Sequence, residues 1–81
     1  MSALRIVVAI HAEQERCLRL FSQAQRAGNR NAIRFFFFSL QRLFIAKTEK
    51  GSSAAARTLM EAKCAAKLGI NAMEEKKEKA C

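Results

Sequence analysis

Apolar positions recur along this chain at helical spacing in three stretches, separated by two polar breaks. In the first stretch Val7, Ile10, Cys17, Leu20, Phe21 and Ala24 recur at the three- and four-residue steps of a helix. That is one face of an α-helix, and Arg5, Glu15, Arg16, Arg19 and Arg26 fall mostly away from it. Ser2 is a suitable N-cap, so the first helix is predicted over about 3–26. The clearest punctuation is Ala27-Gly28-Asn29-Arg30-Asn31. Gly28 can take the left-handed backbone that closes a helix, and Asn29 or Asn31 can cap the next one.

The second helix, predicted over about 32–48, is apolar over most of its circumference. Ile33, Phe36, Phe37, Leu40, Leu43 and Phe44 form a wide stripe assigned to the core. Phe35, Phe38 and Ile45 lie outside that stripe, and such a helix must be covered on two sides. These three are therefore candidate contacts for a protein neighbour. After the second break, Glu49 to Ser53, a third helix is predicted over about 54–68, capped by Ser52 or Ser53. It carries Ala55, Leu59, Ala62 and Ala66 on one face. Gly69 reads as the residue that closes this helix, and Asn71 with Glu74 as a capping-box-like pair opening a short basic extension. Residues 70–81 are then a solvated, fraying helical tail. Short connections make consecutive helices antiparallel neighbours. The predicted fold is all-α, a single domain over 1–81 built as an antiparallel three-helix bundle.

Charge changes the picture from fold to function. Fifteen Lys and Arg stand against seven acidic residues, all Glu, for a net charge of +8. The excess is spread along the chain: +3 over residues 1–30, +3 over 31–50 and +2 over 51–81. A basic domain of this kind has the electrostatic footprint of a polyanion binder. Arg16, Arg19, Arg26, Arg30 and Arg34 flank the first turn, Lys47, Lys50 and Arg57 flank the second, and Lys63 and Lys67 lie on the third helix. Guanidinium forks match phosphate oxygens in pairs, and helix N-termini add backbone donors. These ten are the candidate RNA contacts. At helical spacing the Phe run reads as core or protein interface, not as a base-stacking platform. That favours folded RNA recognised by shape and backbone.

Catalysis finds no residues to carry it. The chain has no Asp and a single His, its glutamates read as surface residues, and no phosphate-binding glycine loop is present. No enzyme, cofactor, metal or small-molecule substrate is expected. Cys17, Cys64 and Cys81 are widely spaced and odd in number, which fits free thiols in a reducing compartment and not a disulfide scaffold. The apolar runs Ile6–Ile10 and Phe35–Phe38 are far short of the roughly 18 residues needed to span a bilayer.

Between Leu18 and Gly51 the chain resembles the bacterial-type S-twenty family of small-subunit ribosomal proteins. Ala27-Gly28-Asn29-Arg30 is similar to that family's turn between its first two helices. Phe37, Leu40-Gln41 and Lys50-Gly51 follow at family-like spacing, and Ala55-Ala56-Arg57 looks like the start of its third helix. The resemblance implies a three-helix bundle packed into small-subunit ribosomal RNA beside neighbouring ribosomal proteins, with Arg19, Arg30, Lys50 and Arg57 as the leading contacts. Ile6–Ile10 is apolar where the family is basic, and the third helix is poorer in charge. Both departures suit an organellar ribosome in which protein neighbours replace some RNA contacts. The expected location is the mitochondrial matrix, with the cytoplasm as the alternative. The rival reading is a small helical subunit or adaptor that uses the spare face of the second helix.

Overall fold

The computed structural model describes residues 3–79, with side-chain surroundings for residues 4–74. It contains three helices, α1 (Ala3–Ala27), α2 (Arg30–Thr48) and α3 (Ser52–Lys79), and no strand among the described residues. They pack side by side as an all-α bundle about 45 × 16 × 16 Å. The α2–α3 seam is the most extensive, and α1 rests more on α2 than on α3.

Each helix turns inward the residues that recur in alternating steps of four and three. On α1 the buried positions are Ile6, Ile10, Glu13, Cys17 and Ala24; on α2 they are Ala32, Phe36, Ser39, Leu43 and Ala46. On α3 they include Ala55, Leu59, Ala62, Ala66 and Gly69. This is the spacing of a coiled-coil seam, which keeps one stripe facing the partner helices over several turns. Small residues dominate it, so the helix axes can approach closely. At two points a polar side chain ties the α2–α3 seam. The buried Ser39 hydroxyl donates to the Ala62 carbonyl at 2.7 Å, and Asn29 Nδ2 donates to the Ala72 carbonyl at 3.2 Å.

Three expectations are corrected. The stripe of α2 is rotated: Phe36 and Leu43 are buried and Ile33 and Leu40 half-buried, but Phe37 is 53% and Phe44 65% exposed. On a helix apolar nearly all round, large side chains cannot select the inward arc. Ala32, Ser39 and Ala46, at seven-residue steps, select it by fitting the alanines of α3. Phe35, outside the predicted stripe, is half-buried. Gly69 does not end a helix, and no separate extension begins near Asn71. α3 runs unbroken to Lys79, and the glycine at 69 leaves room for the Phe36 ring, which occupies the space where a Cβ would stand. The boundaries of α2 and α3 also begin two residues earlier than predicted. The expected N-cap Ser2 and the thiol of Cys81 lie outside the described residues, as do the side chains from Glu75 onward.

The first connection is built as the sequence suggested, but in the second neither Ser52 nor Ser53 is the N-cap: α3 begins at Ser52, and the Ala55 N–H donates to the Gly51 carbonyl at 3.2 Å. Gly28 has φ +67° and Gly51 φ +99°, both in the left-handed region, with open space where a Cβ would lie. Asn29, not Asn31, caps α2: its Oδ1 accepts from the Ala32 N–H at 3.2 Å, and its own N–H donates to the Ala24 carbonyl at 3.1 Å. One side chain thus caps α2 and ties it to α3. Asn29→Ala is expected to lower unfolding stability by about 2 kcal/mol, the sum of a lost cap and a lost buried hydrogen bond. Asn29→Asp keeps the acceptor and should lose roughly half of that. Equal urea midpoints for Ala and wild type would contradict the double role.

Candidate nucleic-acid interface

All ten candidate RNA contacts are exposed: Arg16, Arg19, Arg26, Arg30, Arg34, Lys47, Lys50, Arg57, Lys63 and Lys67. Among the described residues only Arg16 of this set has an ion-pair partner, Glu13 at 3.6 Å. Arg42, which was not in the set, is engaged within the fold. It lies 4.8 Å from the Phe38 ring centroid and 4.0 Å from Glu61 Oε2.

The fold does not gather the ten into one patch. Antiparallel order places Arg26, Arg30 and Arg34 at the end holding the first connection, and Lys47, Lys50 and Arg57 at the opposite end. Arg16, Arg19, Lys63 and Lys67 lie along the shaft. Arg19 and Arg26, two turns apart on α1, line one shallow depression together with Leu18, Ser22 and Gln23. None of the helices carries an acidic residue in its first turn. At α2 the positive end of the helix dipole adds to Arg30 and Arg34, and no acidic residue of the helix's own first turn offsets it. The stretch from Arg19 on the shaft to Arg26, Arg30 and Arg34 at the first connection is the strongest candidate for phosphate.

Glu13 corrects the expectation that every glutamate is on the surface. It occupies the inward position between Ile10 and Cys17, is 8% exposed, and its Oε2 has no hydrogen-bond partner. Its place in the four-three spacing was legible, but the rule that carboxylates face water overrode it. Beside it Cys17 is fully buried and donates to the Phe36 carbonyl at 3.4 Å. Burial pushes the Cys17 thiol above its ordinary pKa. The Glu13 carboxylate adds to this, while the Ser39 hydroxyl and Arg16 oppose it. A thiol held in its neutral form is a small hydrophobe and not a nucleophile.

Two grooves flank the basic positions. One, of about 420 Å³, runs between the N-terminal part of α1 and the second connection, with Ile6, Ile10, His11, Lys47 and Glu49 among its walls. His11 is exposed there. The other, of about 570 Å³, crosses the outer face of α2 from Phe21 on α1 past Phe37, Gln41 and Phe44 to Phe38 and Ile45. Phe37 and Phe44, which sequence reasoning placed in the core, are exposed on this face. Among the described residues no three His, Cys or acidic side chains come together as a metal cluster. Nor is any helix there long and apolar enough to cross a membrane. No family profile, curated protein or solved structure matches the chain.

Proposed function

We propose that this chain is a non-catalytic binding module that holds folded RNA through its phosphates, as a structural component of a ribonucleoprotein. One observation carries the reading. The candidate cations other than Arg16 stand in solvent with no carboxylate partner among the described residues, on a chain of net charge +8. Exposed cations without internal partners cost little to keep and stay available to an external polyanion. The rigid helices fix the spacing of those charges, so a folded backbone of matching shape is preferred to a flexible strand. The turn likeness to the S-twenty family favours small-subunit ribosomal RNA as the target. The apolar start of α1 favours a mitochondrial ribosome, where neighbouring ribosomal proteins would cover it.

Titration of a structured ribosomal RNA fragment at rising salt tests this. Six to ten phosphate contacts predict a loss of about 10³-fold or more in affinity between 50 and 200 mM salt. Absence of binding at 50 mM, or binding indifferent to salt, removes the RNA reading.

A second reading has its own support. Phe37, Phe38, Phe44 and Ile45 on α2 are all at least 40% exposed, which suits a subunit or adaptor docking against protein. The two readings are compatible, since the charges and the apolar face are separate resources.

A further inference from the structure

The basic stretch at the first connection continues into the outward face of α2. Arg30 and Arg34, one turn apart, are followed at three- and four-residue steps by Phe37 and Phe38, then Gln41, then Phe44 and Ile45. All of these side chains are exposed, and α2 carries Arg30, Arg34, Arg42 and Lys47 with no acidic residue. We propose that this face receives unpaired nucleobases of the bound RNA. Its rings take the flat faces of the bases, while Arg30 and Arg34 hold phosphates of the same strand. The proposal rests on the RNA reading and deepens it, since the RNA must then present a single-stranded loop or bulge beside its duplex. It sets bases against a protein neighbour as the occupant of the face.

The polar groups inside the groove decide between occupants. Arg42 is one of its walls, 4.8 Å from the Phe38 ring centroid, and its carboxylate neighbour Glu61 is 4.0 Å away and half-exposed. A protein partner with an apolar face would have to desolvate that guanidinium. Gln41 lies at the centre, after Phe37 and Phe38 and before Phe44 and Ile45. A bilayer would take its amide into hydrocarbon without a hydrogen-bond partner. A nucleobase suits every one of these groups. Its face stacks on an aromatic ring or a guanidinium, and its edge donates and accepts as the Gln41 amide does. Its strand brings the negative charge that α2 lacks.

Size agrees with this occupant. Phe37 and Phe44 are two turns apart, about 10 Å along the helix axis. That length spans about three stacked bases at a rise of roughly 3.4 Å. The groove, of about 570 Å³, also reaches Phe21 on α1, so it is wider than one helix. Periodicity argues against a stacking platform only while Phe37 and Phe44 are assigned to the core, and they are 53% and 65% exposed.

Fluorescence anisotropy of the purified full chain with two labelled RNAs tests the proposal. One is a hairpin with a loop of unpaired adenines, the other a blunt duplex with the same number of phosphates. Charge alone favours the duplex, whose phosphates are denser, so a preference for the hairpin reports the bases. Stacking contributes about tenfold per base, and the hairpin is expected to bind at least about tenfold more tightly at 0.1 M salt. Phe37→Leu combined with Phe44→Leu keeps apolar bulk at two exposed positions. It should leave the urea midpoint, the salt slope and the duplex affinity unchanged. The hairpin should then fall to within about threefold of the duplex. Gln41→Leu, which would suit an apolar partner, should cost the hairpin several-fold and the duplex nothing. Equal affinity for the two RNAs overturns the proposal and leaves the RNA reading standing. A hairpin preference that survives the loss of both rings, or that Gln41→Leu leaves intact, also overturns it and returns the face to a protein neighbour or a bilayer. Binding of neither RNA at 50 mM salt removes the RNA reading, and this proposal with it.

Discussion

Gly69→Val is expected to lower the free energy of unfolding by about 3 kcal/mol or more, a large part of what a domain of this size has to lose. An ideal Cβ on residue 69 would lie 2.6, 2.8 and 2.9 Å from three ring carbons of Phe36. That ring is fully buried and cannot swing into solvent to make room. The sign of the smaller change is the sharper diagnostic. Replacing glycine by alanine inside a helix ordinarily stabilises by about 1 kcal/mol. Here Gly69→Ala should destabilise, because the overlap outweighs the propensity gain. Phe36→Leu, made in the Gly69→Ala background, should cost less than it does in the wild type. A double-mutant cycle in urea should then give a coupling above about 1 kcal/mol. Additive effects, or a Gly69→Ala protein more stable than wild type, would remove the close approach of α2 and α3 from the account of this fold.

Changing Arg19, Arg26, Arg30 and Arg34 together to Gln is expected to weaken binding to structured RNA by about 10³-fold at 0.1 M salt. The slope of log affinity against log salt should flatten by roughly three to four. All four side chains are exposed and unpaired among the described residues, so the unfolding midpoint should hardly move. The change at the other end, Lys47, Lys50 and Arg57 to Gln, removes three charges instead of four and should cost less for each charge removed. Its cations share their surroundings with Glu49, whose carboxylate accepts from the Thr58 hydroxyl at 3.0 Å. Equal losses per charge from both sets would mean that the whole rod, and not one end, meets the RNA. Fluorescence anisotropy with a labelled fragment distinguishes these outcomes.

Helix count, the two breaks, the antiparallel order and the inward face of α3 could all be read from the sequence, because each rests on local rules. Gly28 and Asn29 sit where a helix must stop and start, and Ala55, Leu59, Ala62 and Ala66 are apolar on one side only. The orientation of α2 could not be read the same way. Its phenylalanines surround the helix, and the choice of inward arc was made by the small residues of the facing helix. Gly69 failed for a related reason. A glycine near the end of a pattern reads as a stop, and only the partner helix shows that it is a slot for a ring.

The candidate site was legible in kind and not in arrangement. That arginines and lysines off the apolar stripes would face water follows from periodicity alone. That Arg42 would be drawn to Glu61 and Phe38, and that Arg19 and Arg26 would share one depression with Ser22 and Gln23, depends on register between and along helices. No single-sequence rule supplies that register.

The three glycines separate two requirements that sequence comparison would merge into one. Gly28 and Gly51 have room for a side chain but need the mirror-image backbone, so what they exclude is L chirality. Gly69 has ordinary helical handedness and no room at all. A D-alanine placed by chemical synthesis would therefore serve at 28 and 51, where it would also narrow the unfolded ensemble. At 69 neither enantiomer has a favourable place: the L form meets the Phe36 ring, and the D form is set against a right-handed helix.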